Sequence, residues 1–183
     1  MNKLFVTALS LIAALAALPA TAADDFYLGA AIGTQGKLTF SNGAGTMDNT
    51  NHPRAYSLYG GYVLSERFAI EAGYSSFGDF KFGSVAEADL SALHLAAKAS
   101  FPVSDAWSVF GKAGVVRHSI DITNSGRTAF DMTKVRGLLG VGVEYHQSPK
   151  LSVALELVDY GKVREPGLDL KTRKLQAGVN YRF

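Results

Sequence analysis

Eight segments of this chain alternate apolar and polar side chains, and this repeated period of two constrains the fold more than any other feature. Successive side chains of a β-strand point to opposite faces, so each segment is predicted to be a strand with one apolar and one polar face. The predicted strands are residues 26–36, 55–64, 68–77, 90–101, 107–118, 134–145, 151–160 and 171–183.

The gaps between the predicted strands alternate regularly between short and long. The short gaps are 65–67, 102–106 and 146–150, and the long polar gaps are 37–54, 78–89, 119–133 and 161–170. An up-and-down membrane barrel with tight periplasmic turns and longer external loops produces this alternation, whereas a soluble sandwich has no reason to keep it. We therefore predict an all-β fold, an eight-stranded antiparallel up-and-down transmembrane β-barrel, with both termini on the periplasmic side.

The parity of the charged residues distinguishes a membrane barrel from a soluble one. In segment 90–101, Leu93 and Leu95 share one parity and Lys98 has the other. Across the predicted strands, glycines, small residues and isolated charges share the polar parity. A narrow membrane lumen needs that mixture, with the apolar face turned to lipid. The alternative, a soluble lipocalin-like barrel, is expected to have an apolar interior and a charged exterior.

The first residues have the features of a secretory signal peptide. Lys3 supplies the positive start, residues 4–18 form an uncharged Ala/Leu-rich run, and residues 20–22 (Ala-Thr-Ala) fit the cleavage rule. A membrane-anchoring helix is the alternative, but the apolar run is shorter than the roughly 20 residues that a span requires. We expect residues 1–22 to be a cleaved signal peptide and residues 23–183 to form one domain, the barrel.

Charge and cysteine content exclude several functional classes. The chain has 18 basic and 16 acidic residues, and without Lys3 the net charge is about +1. Such a balance gives no indication of a nucleic-acid partner. The chain has no cysteine, which excludes thiolate chemistry and cysteine metal sites. We predict that the protein uses no cofactor.

Eight charged residues have the parity assigned to the lumen, and one of them, Arg182, lies at the very end of the last strand. Isolated charges within the membrane are costly to desolvate, so we expect them to pair across the barrel. We interpret the network as structural filling that plugs the lumen. The alternatives are a gate, in which rearranged pairs open a narrow ion path, and a catalytic dyad. The predicted network is Glu71, Lys98, Lys112, Arg136, Glu144, Glu156 and Lys174.

The four histidines do not indicate a metal site or a hydrolase. No pair has the His-x-x-x-His spacing. Outer-membrane lipid hydrolases use a His–Ser pair on the lipid-facing wall, but no histidine here has lipid-facing parity. His118 and Ser119 are adjacent, yet adjacent strand residues face opposite ways. We predict no catalytic residue and no metal ligand, and keep a lipid-modifying enzyme only as a third alternative.

Two outward-facing arginines and the aromatic residues lie near the ends of the predicted strands. Arg117 and Arg173 are candidates to bind lipopolysaccharide phosphates, because guanidinium groups bind phosphate bidentately. The alternative is that both arginines are ordinary solvated residues at the rim of the barrel and bind no lipid. The aromatic residues predict two girdles at the membrane surfaces. They are Phe26, Tyr62, Phe68, Phe101, Trp107, Tyr145 and Phe183 near the turns, and Tyr56, Tyr74 and Phe77 near the loops.

Short motifs follow one another along these predicted strands. They are residues 26–30, 59–62, 70–74, 97–98, 101–105, 110–114, 142–145 and 175–183. In order and spacing they resemble the transmembrane domain of the OmpA family of outer-membrane proteins. The resemblance covers almost the whole chain after the predicted signal peptide.

The resemblance implies a barrel in the bacterial outer membrane whose interior salt bridges act as a gate or plug. That role falls on Glu71, Lys98 and Glu144. The seventh predicted strand departs from the family, because the family's gating arginine falls at Ala154. Lys112, Arg136 and Lys174 are the candidates to substitute for it. The family's peptidoglycan-binding domain is not expected in this chain, which is closer in length to barrel-only proteins linked to adhesion and surface resistance.

The resemblance also implies partners. These are outer-membrane lipids, lipopolysaccharide and the barrel-assembly machinery, which recognises a terminal aromatic signal that Tyr181 and Phe183 resemble. We expect a monomer with a structural and surface-presenting role. A narrow, low-conductance pore is the alternative function.

Overall fold

The computed structural model describes residues 25–34, 39–42, 45–48, 54–82, 86–124, 127–165 and 168–183. The predicted signal peptide, residues 1–22, lies outside this range. The strands are β1 (Phe26–Thr34), β2 (Thr39–Asn42), β3 (Gly45–Asp48), β4 (Arg54–Val63), β5 (Phe68–Phe82), β6 (Ala86–Pro102), β7 (Trp107–Asn124), β8 (Arg127–His146), β9 (Leu151–Glu165) and β10 (Leu168–Arg182).

Eight of these strands form a closed antiparallel barrel. Strands β1 and β4 to β10 pair in sequence order, and β1 also pairs with β10. The closing register runs from Tyr27 opposite Arg182 to Thr34 opposite Leu175. The remaining strands, β2 and β3, form a small hairpin that meets β10 through Thr39 opposite Asp169. The structure therefore confirms the predicted eight-stranded up-and-down barrel. Among the described residues, no helix is long and apolar enough to cross a membrane.

Three short connections lie together at one end of the barrel, here named the turn end. They span 64–67, 103–106 and 147–150, and each closes through a backbone hydrogen bond. The Leu64 amide donates to the Phe68 carbonyl oxygen at 2.8 Å, and the Val103 amide donates to the Trp107 carbonyl oxygen at 2.8 Å. The opposite end, where the longer connections lie, is named the loop end.

The predicted strand ends were wrong at the loop end. The predicted gaps 78–89, 119–133 and 161–170 consist largely of paired strand, because β5 to β10 all extend into them. The gap 37–54 contains the β2–β3 hairpin. Strands that continue beyond the lipid keep their backbone pairing but lose the apolar face that marks them in the sequence. A register shift between Ser76 and Asp79 further breaks the pattern.

The two faces of the strands have the predicted parity. Apolar side chains such as Leu95, Val115, Leu139 and Leu155 are 49–66% exposed on the outer wall, where lipid covers a membrane barrel. Among the described residues, most side chains of the other parity are buried in the lumen.

Aromatic side chains form the predicted girdle at the turn end. Phe26 packs on Tyr62 with ring centroids 4.9 Å apart, and Trp107 packs on Tyr145 at 5.0 Å. At the loop end, the prediction for Phe77 was wrong. It shares the inward parity of Glu71 and is fully buried in the lumen.

Candidate functional site: the barrel lumen

The ion pair nearest the turn end joins β6 to β8. Lys98 Nζ lies 2.7 Å from Glu144 Oε2, and both side chains are buried. Asn180 Nδ2 donates to Glu144 Oε1 at 2.8 Å, and the Ser152 hydroxyl donates to the same oxygen. Lys98 Nζ also lies 4.4 Å from the centroid of the Phe110 ring. Both oxygens of the carboxylate therefore have partners, as a buried charge requires.

A second group of ion pairs lies deeper in the lumen and centres on Lys112. Its Nζ donates to Glu71 Oε1 at 2.6 Å and to Glu156 Oε2 at 3.0 Å, so one ammonium group bridges two carboxylates. The Tyr27 hydroxyl donates to Glu71 Oε2 at 2.8 Å. Gln176 Nε2 donates to Glu156 Oε2 at 2.9 Å. The ion pairs of this cluster connect β5, β7 and β9 across the lumen. None of these three strands pairs directly with another in the sheet.

Lys174 is fully buried and differs from the other two lumen lysines. Its Nζ donates to the Ser57 hydroxyl and lies 5.5 Å from the centroid of the Phe77 ring. Within the described part of the chain, no carboxylate lies at ion-pair distance from Lys174. Among the described residues, the lumen buries three lysines and three glutamates.

Arg136, the seventh residue of the predicted network, lies half-buried toward the loop end. Its Nη1 donates to the Val135 carbonyl oxygen at 3.1 Å. Ala154, where the family's arginine was expected, is buried directly opposite Glu144 in the β8–β9 register. The remaining six predicted residues are all buried in the lumen.

Glycines in the wall make room for the aromatic side chains that fill the lumen. A methyl group on Gly29 would overlap the Tyr59 ring and the Asn180 amide oxygen. The Tyr59 hydroxyl donates to that oxygen at 2.7 Å. Gly61 accommodates the Tyr27 ring in the same way. The glycines that share the parity of the charges are therefore required for packing.

Replacing Gly29 with alanine is expected to lower the unfolding free energy by about 1–3 kcal/mol, the usual cost of overpacking. The added methyl group must displace Tyr59 and with it the hydrogen bond to Asn180. Gly137→Ala is the matched control, because a methyl group there meets no atom within 4 Å. Urea unfolding in lipid vesicles measures both. Equal stability of the two variants would contradict the packing role of Gly29.

An apolar cluster fills the lumen on the loop side of the ion pairs, and sequence reasoning missed it. The Phe77 and Tyr160 rings meet edge to face with centroids 5.2 Å apart, and His118 Nε2 lies 3.1 Å from the Tyr160 carbonyl oxygen. The cluster consists of Ala55, Phe77, Leu90, Ala92, Ala96, Val116, Leu138, Val158 and Tyr160. Their inward parity was the available signal, but a polar lumen was expected and these side chains are mostly apolar.

A cavity of about 230 Å³ opens at the turn end, and Lys98 and Glu144 contribute to its lining. At its mouth, the Ser108 hydroxyl lies 2.9 Å from His146 Nε2. Sequence reasoning did not foresee this contact, because the two residues are 38 positions apart and meet only through the β7–β8 pairing. The pair lines the lumen rather than the lipid-facing wall. Within the described ranges, no group of three side chains suited to hold a metal ion is present.

The outward-facing candidates lie at opposite ends of the barrel. Arg117 and Arg173 are exposed near the loop end, and Arg173 Nε forms an ion pair with Asp159 Oδ2 at 2.8 Å. Tyr181 lies on the outer wall at the turn end and meets the Phe183 ring edge to face at 5.4 Å. The Phe183 amide donates to the Phe26 carbonyl oxygen at 3.2 Å, which fixes the last residue to β1.

Solved structures of bacterial outer-membrane proteins share this architecture. Neisserial surface protein A superposes with a TM-score of 0.68 at 18% identity, covering 86% of this chain and 97% of that one. The attachment invasion locus protein Ail of Yersinia pestis, solved with the heparin analogue sucrose octasulfate, gives a TM-score of 0.59 at 15% identity, covering 87% and 99%. At these identities the likeness concerns the fold.

Sequence relatives are themselves named outer-membrane proteins. Outer membrane protein P5 of Haemophilus influenzae is 34% identical over 154 residues, covering 70% of this chain and 44% of the relative. Outer membrane protein A of Serratia marcescens is 28% identical over 155 residues, covering 79% and 43%. The chain thus spans less than half the length of these curated relatives. Residues 5–183 match the family described as the outer membrane protein beta-barrel domain. The chain therefore belongs to this family, and it is an OmpA-like β-barrel of the bacterial outer membrane.

Proposed function

We propose that this protein is a structural barrel that supports the envelope, displays its loop end at the cell surface and does not conduct ions. One observation carries the proposal: the lumen is filled at two successive levels. The first level is the ion pairs of Lys98 and Lys112, and the second is the apolar cluster around Phe77 and Tyr160. An ion crossing the barrel would have to break buried pairs and then enter an apolar constriction, and both steps are unfavourable.

The named relatives support a surface role over a catalytic one. They are outer-membrane barrel proteins, and Ail was solved with a heparin analogue. The Ser108–His146 contact supplies two parts of a nucleophilic site, but a third group that orients the histidine is also needed. Among the described residues, no further partner of His146 completes such a triad.

A narrow pore gated by the lumen ion pairs is the second candidate function. The observation in its favour is the cavity at the turn end, which is lined by Lys98 and Glu144. If this pair were the only barrier, separating it would connect the cavity to the loop end. The apolar cluster lies in series with the pair, and this arrangement favours the closed barrel.

Planar-bilayer recording of the refolded protein separates the two functions. We expect no conductance steps from the wild type, and none from Lys98→Ala or Glu144→Ala, because each variant keeps the apolar cluster. A heat-modifiable band on a gel verifies that each variant has folded. Steady conductance steps from the wild type would refute the structural role. Steps that appear only in the two variants would establish the gated pore.

A further inference from the structure

A patch of hydrogen-bonding side chains lies on the outer wall toward the loop end. Arg117 on β7 stands between Leu93 on β6 and Val135 on β8, both more than half exposed. The next outward row, two residues farther from the turn end, consists of Ser91, Ser119 and Thr133. Over two residues along the strands, the outer wall thus changes from apolar side chains to one guanidinium group and three hydroxyl groups.

These four side chains have no partner in the part of the chain that the structure describes. Among the described residues, Arg117 and the three hydroxyl groups make no side-chain hydrogen bond or ion pair. Arg173 makes a useful comparison, because it is also exposed and faces outward, but Asp159 already binds it. Neighbouring side chains in such rows lie about 5 Å apart across strands and about 7 Å apart along them. Ser91 and Thr133 flank Ser119 and lie about 10 Å apart, so Arg117 and Ser119 can contact one phosphate group while the flanking hydroxyl groups face the oxygens beside it.

The height of the patch matches the outer edge of the hydrocarbon layer. Trp107, in the girdle at the turn end, is ten residues from Arg117 on the same strand. At a rise of about 3.3 Å per residue and a tilt of about 40°, these residues are about 25 Å apart along the barrel axis. The apolar band of outer-membrane barrels is about 25 Å tall. Arg117 therefore stands at the level of the lipid headgroups.

We propose that Arg117, together with Ser91, Ser119 and Thr133, binds a phosphate group of lipid A, the lipid anchor of lipopolysaccharide. Guanidinium binds phosphate through two parallel hydrogen bonds, and the hydroxyl groups suit the remaining phosphate and sugar oxygens. The inference rests on the proposed function, because it requires the loop end to lie at the cell surface, where lipid A forms the outer leaflet. Arg173 is not part of the site.

Native mass spectrometry of the purified full chain with added lipid A in magnesium tests the proposal. Arg117→Gln is expected to weaken lipid A binding about tenfold or more, since a hydrogen bond to a charged group is lost. Arg173→Gln is the matched control and is expected to bind as the wild type does. Dephosphorylated lipid A is expected to bind weakly and equally to the wild type and to Arg117→Gln.

Unchanged affinity of Arg117→Gln, or an equal loss in Arg173→Gln, would overturn the proposal. Binding of phosphatidylglycerol as tight as that of lipid A, and equally sensitive to Arg117→Gln, would overturn the assignment to lipid A. Orientation is tested separately in intact cells, because the natural chain has no cysteine. Ser148→Cys in a short turn is expected to react with an impermeant maleimide only after permeabilisation. Labelling in intact cells would refute the proposed surface display, whereas the lipid assay reports on the site alone.

Discussion

Replacing Lys112 with methionine is expected to lower the unfolding free energy of the barrel by about 3–5 kcal/mol, the range observed when one partner of a buried ion pair is removed. Lys112 is the ammonium group that bridges Glu71 and Glu156, at 2.6 and 3.0 Å. Without it, two buried carboxylates face each other across the lumen. Urea unfolding in lipid vesicles measures the loss, and the single tryptophan, Trp107 on the outer wall, reports the transition.

Lys174→Met is the control that separates ion pairing from the removal of any buried charge. Lys174 is at least as buried as Lys112, but its ammonium group donates to Ser57 and has no carboxylate partner among the described residues. Removing it leaves no adjacent carboxylate exposed to an apolar environment. We expect a change within about 1 kcal/mol, because the lost hydrogen bond to Ser57 is offset by relief of the cost of burying an ammonium group. Equal losses in the two variants would show that ion pairing is not the cause.

A double variant tests the same mechanism from the carboxylate side. Glu71→Gln removes one of the two charges that Lys112→Met leaves unpaired, so the combination is expected to cost less than the sum of the two single changes. Residues in one buried network typically couple by about 0.5–3 kcal/mol. Strict additivity would mean that the two side chains do not interact in the membrane.

Parity made the closed barrel and its lumen-facing charges predictable from the sequence. Each strand that crosses the lipid must alternate, because one face meets acyl chains and the other a narrow core. The parity that predicts Lys98 and Glu144 to point inward depends only on that alternation. The strand ends at the loop end were harder to predict from the sequence. Where water lies on both sides of a strand, its two faces no longer differ in polarity. Gly78, with a φ of 77° beside the register shift in β5, shows where the alternation breaks.

The partners of the charges could not be predicted from parity alone. Lys112 pairs with Glu71 and Glu156 but not with Glu144, because the stagger of the closed barrel sets the height of each side chain. One strand pattern gives the face of a residue, but its height depends on every register around the barrel. The contact between Ser108 and His146 depends on one register, that of β7 against β8, which parity also leaves open.

Combining Phe77→Ala with Lys98→Ala is expected to turn the closed barrel into a channel, whereas neither change alone does so. Phe77 lies in the middle of the apolar cluster against Tyr160, and its truncation opens space on the loop side of the ion pairs. Lys98→Ala removes the closure at the turn end. These two closures lie in series with each other and with the Lys112 ion pairs, so small conductance steps past the remaining Lys112 cluster are expected only when both are gone. Planar-bilayer recording measures conductance steps for the wild type, the two single variants and the double variant.

Tyr74→Ala provides the matched control for the Phe77 variant. Tyr74 is an aromatic residue on the same strand but faces outward and is 48% exposed, so its loss leaves the lumen filled. Phe77→Ala is expected to cost about 3–5 kcal/mol of unfolding free energy, as for other buried phenylalanines. Tyr74→Ala with Lys98→Ala is expected to stay silent. If the Tyr74→Ala, Lys98→Ala double variant conducts as well as the Phe77→Ala, Lys98→Ala double variant, the current comes from a loosened wall and not from an opened lumen. If Phe77→Ala conducts alone, the apolar cluster is the sole barrier, since the ion pair at the turn end then lets ions pass.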